Sequence, residues 1–245
     1  TEDRCNATPS HLNPANGLEQ AAFLEIVDGP SEFEDECRAQ RHSRRDIFTS
    51  ATPHVGSVSE FKLMDSPLLM QRFLDTVVDQ DSVNIILDIS CLPKRFFFPI
   101  IRLISRRENV QNLVVTYSVP ENYTRQTLAF DPQDWSFVPL FQREVAPHEA
   151  SANRVIVGVG FLPFHLPELV THEFEGAEVT LILPFPPGPP QYQRNWRFVH
   201  DIYGTSWPGN EKRLIRRVDA TDASGCFDHL ASIARDEAEQ TILAP

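Results

Sequence analysis

Residues 83–117 read VNIILDISCLPKRFFFPIIRLISRRENVQNLVVTY, and the fold is decided here. Val83–Ile89 is a nearly continuous apolar run, the pattern of a strand buried on both faces in a parallel sheet. The run breaks on Asp88 and Ser90, Pro93 opens a helix that continues to about Arg107, and Asn112–Tyr117 is apolar again. Two strands separated by a helix pair in parallel, and their crossover is right-handed.

Working toward the N-terminus, Val55–Met64 alternates apolar and polar residues as a strand does, and Ser66-Pro67 supplies an N-cap followed by a first-turn proline. The helix from Pro67 to Gln80 carries a stripe at Leu69, Phe73 and Val77. Between residues 31 and 53, acidic Glu32, Glu34, Asp35 and Glu36 precede basic Arg38, Arg41, Arg44 and Arg45, the charge order that suits a helix dipole. Ala21–Val27 reads as the first buried strand. Residues 1–20, with three Asn, two Pro and a Gly, read as a flexible arm.

Toward the C-terminus, residues 118–152 hold only short apolar islands and read as a long connection. A second unit then starts at Arg154–Val159. It continues with a helix near Pro167–Phe174, a strand at Glu178–Leu183, a helix at Gln191–Tyr203 ending before Gly204, a short strand at Leu214–Val218 and a helix from Ala223 to Glu239. Thr241–Pro245 looks like the opening of a further strand. With no initiator Met, this suggests part of a longer chain.

The expected fold is therefore α/β: an open, mostly parallel sheet of at least five strands with helices on both faces. Residues 21–245 form this domain, in halves 21–125 and 150–245. Asp88-Ile-Ser-Cys-Leu-Pro93 and Gly158-Val-Gly-Phe-Leu-Pro163 share a strand-to-helix pattern that points to a duplication, although Leu-Pro after a strand is also a common way to begin a helix.

Composition narrows the functional classes. Acidic residues outnumber basic ones 34 to 22, and the net charge of −12 disfavours a grip on nucleic acid. No stretch approaches the ~18 apolar residues of a membrane span. Cys5, Cys37, Cys91 and Cys226 are widely spaced, without a C-x-x-C pair, which fits a reducing cytoplasm and gives no metal site. No P-loop, helical zinc motif or G-x-S-x-G is present. Gly158-Val-Gly160 follows a strand as a dinucleotide fingerprint does, but Pro163 stands at the third glycine position.

In an open parallel sheet, ligands bind outside the carboxyl ends of the strands. The residues expected there are Asp88, Ser90, Lys94, Tyr117, Ser118, Tyr123, Gly158, Gly160 and Phe161, with Arg194 and Asn195 after the proline run. The leading reading is a module that binds or senses a small, nucleotide-like anion. In it Lys94 and Arg194 meet the charge, amides after Ser90 and Gly160 donate, and Tyr123 or Phe161 stacks on a base. A hydrolase or transferase acting on a nucleotide or phosphorylated metabolite, with Asp88 as general base and Lys94 or Arg194 stabilising developing charge, is the alternative, and an interaction scaffold a third. No cofactor is identified.

The strings ILDISCLPKRFFFPIIRLI, NLVVTYSVPENYT, VGVGFLPFH and LILPFPPGPPQYQRNW, within residues 84–196, resemble a family of uncharacterised bacterial α/β proteins with D-I-S-x-L-P-[KR] and Y-[ST]-x-P-x-x-Y turns. The resemblance implies a Rossmann-like fold and the placement of the site, and no reaction. Assembly enters through Phe96–Ile101: a helix apolar all round needs cover all round. That cover is a homo-oligomer or protein complex, or equally the Trp135–Phe141 segment of the same chain.

Overall fold

The computed structural model describes residues 3–12, 18–27, 33–52, 56–120, 136–141, 154–159, 177–185, 213–219, 222–235 and 241–244. The chain divides into two compact units: Thr1–Asn122 with Phe137–Gln142, and Tyr123–Ser136 with Arg143–Pro245.

In the first unit, β1 (Ala21–Val27) pairs in parallel with β2 (Gly56–Lys62), and β3 (Val83–Asp88) pairs in parallel with β4 (Val110–Thr116). A 3-10 turn (Asp3–Asn6) and the helices α1 (Ala7–His11), α2 (Glu34–Ala51), α3 (Pro67–Val77) and α4 (Lys94–Ile104) complete its regular structure. Ser66 caps α3 as its sequence suggests, its Oγ accepting from the Leu68 amide at 3.3 Å. The acidic start of α2 is held by Arg38, which pairs with Glu34 and Asp35. Farther along, Arg41 and Arg45 both lie 3.5 Å from the buried carboxylate of Glu25 on β1. That pairing offsets the large cost of burying an isolated charge. Phe61, Met70, Leu74, Phe96, Ile100 and Ile104 form the core, with Leu24, Ile26, Ile85, Leu87 and Leu113 packed against it.

Helix α4 is amphipathic and not apolar all round: Phe96, Pro99, Ile100 and Ile104 are buried along one face, Lys94, Arg95 and Arg102 lie on the other, and part of the cover of that second face comes from the same chain. Phe141 meets Phe98 with ring centroids 6.0 Å apart and lies under the Arg102 guanidinium at 4.9 Å.

The second unit holds β5 (Arg154–Gly158), β6 (Glu178–Phe185), β7 (Arg213–Asp219), α5 (Ala223–Arg235) and β8 (Thr241–Ala244). All four strands are parallel, in the order β7-β6-β5-β8. Arg154 ties the layers together, donating to the Ile233 carbonyl of α5 at 2.7 Å and to Glu178 on β6 at 3.3 Å. Pro184 is accommodated near the end of β6 because β5 pairs only as far as Gly158 opposite Ile182. Beyond that point β7 is the one strand beside β6 among the described residues, and a missing N–H is tolerated at an edge.

Three further expectations are corrected. No sheet of five or more strands exists among the described residues, which form sheets of two, two and four strands. Neither is β3 buried on both faces. Ile85 and Leu87 enter the core while Ile86 is 46% exposed, because β3 and β4 lay only one face on the core that α3 and α4 share. Finally, residues 3–11, expected within a flexible arm, are a 3-10 turn and a helix fastened to other parts of the first unit. The predicted helices at 167–174 and 191–203 lie outside the described residues.

Candidate functional site

The carboxyl ends of β3 and β4 bring together four of the residues singled out in the sequence. Asp88 ends β3, and its Oδ1 accepts the Ser90 amide at 2.8 Å. The Ser90 hydroxyl in turn accepts the Ser118 amide at 2.7 Å, so the turn after β3 is fastened to the turn after β4. Tyr117 follows β4 with its ring exposed. Lys94 is exposed at the first position of α4, after a Pro93 N-cap that offers no side-chain acceptor. Lys94 and Arg95 thus put two cations at the end of the helix where the dipole favours anions.

The N-terminal turn and α1 occupy this edge. The Thr8 hydroxyl donates to Asp88 Oδ2, and Thr8 and Thr116 lie with their hydroxyl oxygens 3.3 Å apart. Since the Thr8 proton is committed to the carboxylate, Thr116 is the donor in that second contact. Arg4 Nη1 donates to the Tyr117 hydroxyl at 2.8 Å and to the Ser118 carbonyl at 3.2 Å, and its guanidinium lies over the Tyr117 ring at 5.2 Å. Asn6 donates to the Arg44 carbonyl of α2 at 3.2 Å, anchoring the turn from the other side. Cys5, between these anchors, hydrogen-bonds through its thiol to Cys91. That bond, then burial, raise the Cys5 pKa far above the ordinary thiol range, with Arg44 opposing.

Chemically, this edge is self-satisfied. Each Asp88 oxygen already accepts a hydrogen bond, so a substrate proton seeking Oδ2 would compete with Thr8. General-base work requires that direct contact, or one water between.

The second unit offers a different edge. Counting the described strands from β5, the order β7-β6-β5-β8 is third, second, first, fourth, the first four places of a doubly wound parallel sheet. The chain steps outward from β5 through β6 to β7 and returns to the opposite side of β5. The topological switch point therefore falls between β5 and β8, where such sheets open a crevice at their carboxyl ends. Val157 pairs with Ala244 at that point, and Gly158 is the next residue on β5. The Val159 amide still donates to Ile182 on β6 at 2.9 Å.

The sequence-selected residues therefore divide between two sheets. Asp88, Ser90, Tyr117 and Ser118 meet at the first unit's edge, with Lys94 beginning the helix that follows. Gly158 stands at the second unit's switch point. Tyr123, Gly160, Phe161, Arg194 and Asn195 lie outside the described residues. Arg4 and Thr8 escaped the sequence reading. Their only local signal is Pro9 within a short run after Asn6, a weak mark of a helix start, and their partners are more than 75 residues away.

No family model matches the chain, no curated protein is significantly similar to it, and no solved structure matches it.

Proposed function

We propose that this chain is a binding or sensing module for a small, nucleotide-like anion, and that the ligand sits at the switch point of the second unit, beside Gly158. One observation carries the reading: the first strand of a third-second-first-fourth parallel sheet runs directly into Gly158-Val-Gly160. Glycine after that strand lets the backbone approach a phosphate closely, and amides in the turn donate to its oxygens. Arg194 would meet the remaining charge, and Phe161 would stack on a base. Pro163 at the third glycine position argues for a mononucleotide or phosphorylated metabolite over a nicotinamide dinucleotide. The resemblance to the uncharacterised α/β family agrees with this placement and adds no reaction.

The test is a thermal-shift and calorimetry series with ATP, GTP, NAD and inorganic phosphate on the full chain and on Gly158→Val. A ligand at 100 times its Kd stabilises by about 2.7 kcal/mol. The expected result is stabilisation of the parent by a mononucleotide, with binding at least about tenfold weaker in a folded Gly158→Val protein. No stabilisation by any of the four, together with a protein that persistently co-purifies, would replace the ligand reading with that of an interaction scaffold.

A further inference from the structure

Two of the first unit's three thiols, Cys5 and Cys91, lie in tethered stretches of backbone and are not used by the ligand reading. Cys5 is flanked by Arg4, bound to Tyr117 and Ser118, and by Asn6, bound to the Arg44 carbonyl. Cys91 follows Ser90, whose amide is held by Asp88 and whose hydroxyl is held by Ser118. The contact of Thr8 with Asp88 brings these two anchored segments together, Arg4 and Ser90 both bind Ser118, and Cys91 is the side chain that most raises the Cys5 pKa. Cys91 is exposed and Cys5 half-buried. Cys37 and Cys226 belong to other helices, α2 and α5.

We propose that Cys5 and Cys91 are an oxidation site, a dithiol that a hydroperoxide converts to a disulfide, stapling the N-terminal turn to the β3–α4 junction. The chemistry assigns each sulfur a part. Cys91, which the oxidant can reach, loses its proton and attacks the O–O bond of hydrogen peroxide. Its sulfur becomes a sulfenic acid, and the second peroxide oxygen leaves as water. Cys5 sulfur then displaces the sulfenic hydroxyl, which departs with the Cys5 proton as a second water. Two thiols and one hydrogen peroxide thus give one disulfide and two waters. The two segments already meet through Thr8 and Asp88 and through Ser118, so closing to an S–S bond of ~2 Å draws together side chains on backbone that is already tethered. The staple makes covalent a cover that Thr8 and Arg4 otherwise hold by hydrogen bonds, and it closes the first unit's strand-end edge whatever the second unit binds.

The experiment uses the full chain of unaltered sequence, so it does not depend on a variant folding. Reduced protein is treated with equimolar hydrogen peroxide, alkylated, and cut without reductant by a glutamate-specific protease, which separates Cys5 from Cys37 at Glu19 and Glu25. The expected product is a linked pair of peptides containing Cys5 and Cys91, with Cys37 and Cys226 alkylated. Hydrogen exchange in residues 4–12 should slow about tenfold on oxidation and recover on reduction. In Cys5→Ser, Cys91 should instead accumulate as a sulfenic acid that dimedone traps. Oxidation of Cys91 to sulfinic acid while Cys5 in the parent chain remains alkylatable, or a Cys5 bond to Cys37 or to a second chain, would overturn the proposal.

Discussion

The strands β3 and β5 are built from similar sequence, IILD and VIVG, yet they occupy different environments. Ile86 on β3 is 46% exposed, whereas Ile156 on β5 is 2% exposed. The difference is one of neighbours. Among the described residues β5 lies between β6 and β8, while β3 bonds to β4 alone. An apolar run specifies a strand, then, but the number of faces it buries is set by what the rest of the chain lays beside it. The same contrast separates the two strand-end edges. At the first, Thr8 and Arg4 of the chain's own N-terminal segment take up the polar groups. At the second, Gly158 ends β5 in a parallel sheet, beside β8.

The largest expected effect tests the burial contrast. Ile156→Ala removes methylenes from a site closed on every side and should cost about 3 kcal/mol in urea unfolding, near the middle of the range for buried aliphatics. Ile86→Ala should cost about 1 kcal/mol or less, because its side chain is largely solvated already. Equal losses would mean that the two strands are equally buried in solution.

Next in size is the seal on the first edge. Thr8→Val keeps the shape of the side chain but deletes a hydrogen bond to a carboxylate, worth about 1.5–3 kcal/mol. Protection of residues 4–12 from hydrogen exchange should fall accordingly, while that of β5 and β6 stays unchanged. If protection of residues 4–12 is untouched, Thr8 is not what holds the segment down.

A smaller effect distinguishes the units by pH. The folded state holds the Cys5 proton well above the ordinary thiol value of 9.0. Below that value both states keep the proton and the raised pKa leaves stability unchanged. Above it the unfolded chain releases the proton while the folded chain does not, so stability of the first unit falls as pH rises beyond about 9. Cys5→Ser should show a shallower alkaline loss in reduced protein. Parallel curves for the two proteins would show that the Cys5 proton is not held.

Much of this molecule is readable from its sequence, and the gaps have physical causes. Ala21–Val27 is a strand because an apolar, β-branched run is bounded by Asp28-Gly29-Pro30, and Pro67 begins a helix because Ser66 can cap it. The meeting of Ser90 with Ser118 follows from the β-α-β unit alone, since parallel strands bring their carboxyl ends to one side. Contacts spanning great chain lengths leave no such mark. Arg4 and Tyr117 are 113 residues apart, and nothing in CNATPS announces a segment that will return to cover β3. The order β7-β6-β5-β8 was equally hidden, because strand periodicity records which residues face the core and not which side of β5 the chain returns to. The expectation of one large sheet failed for that reason: the strands were legible and their lateral pairing was not.

On the proposed function, a nucleotide-like anion binds at the second unit's edge and not at the first. Titrating the isotopically labelled full chain with ATP while following backbone amide NMR signals tests it directly. Saturable shifts are expected at Gly158, Val159, Ile182 and Ala244, with Ser90 and Ser118 unmoved. Shifts concentrated at Ser90 and Ser118, with Gly158 and Val159 silent, would contradict it.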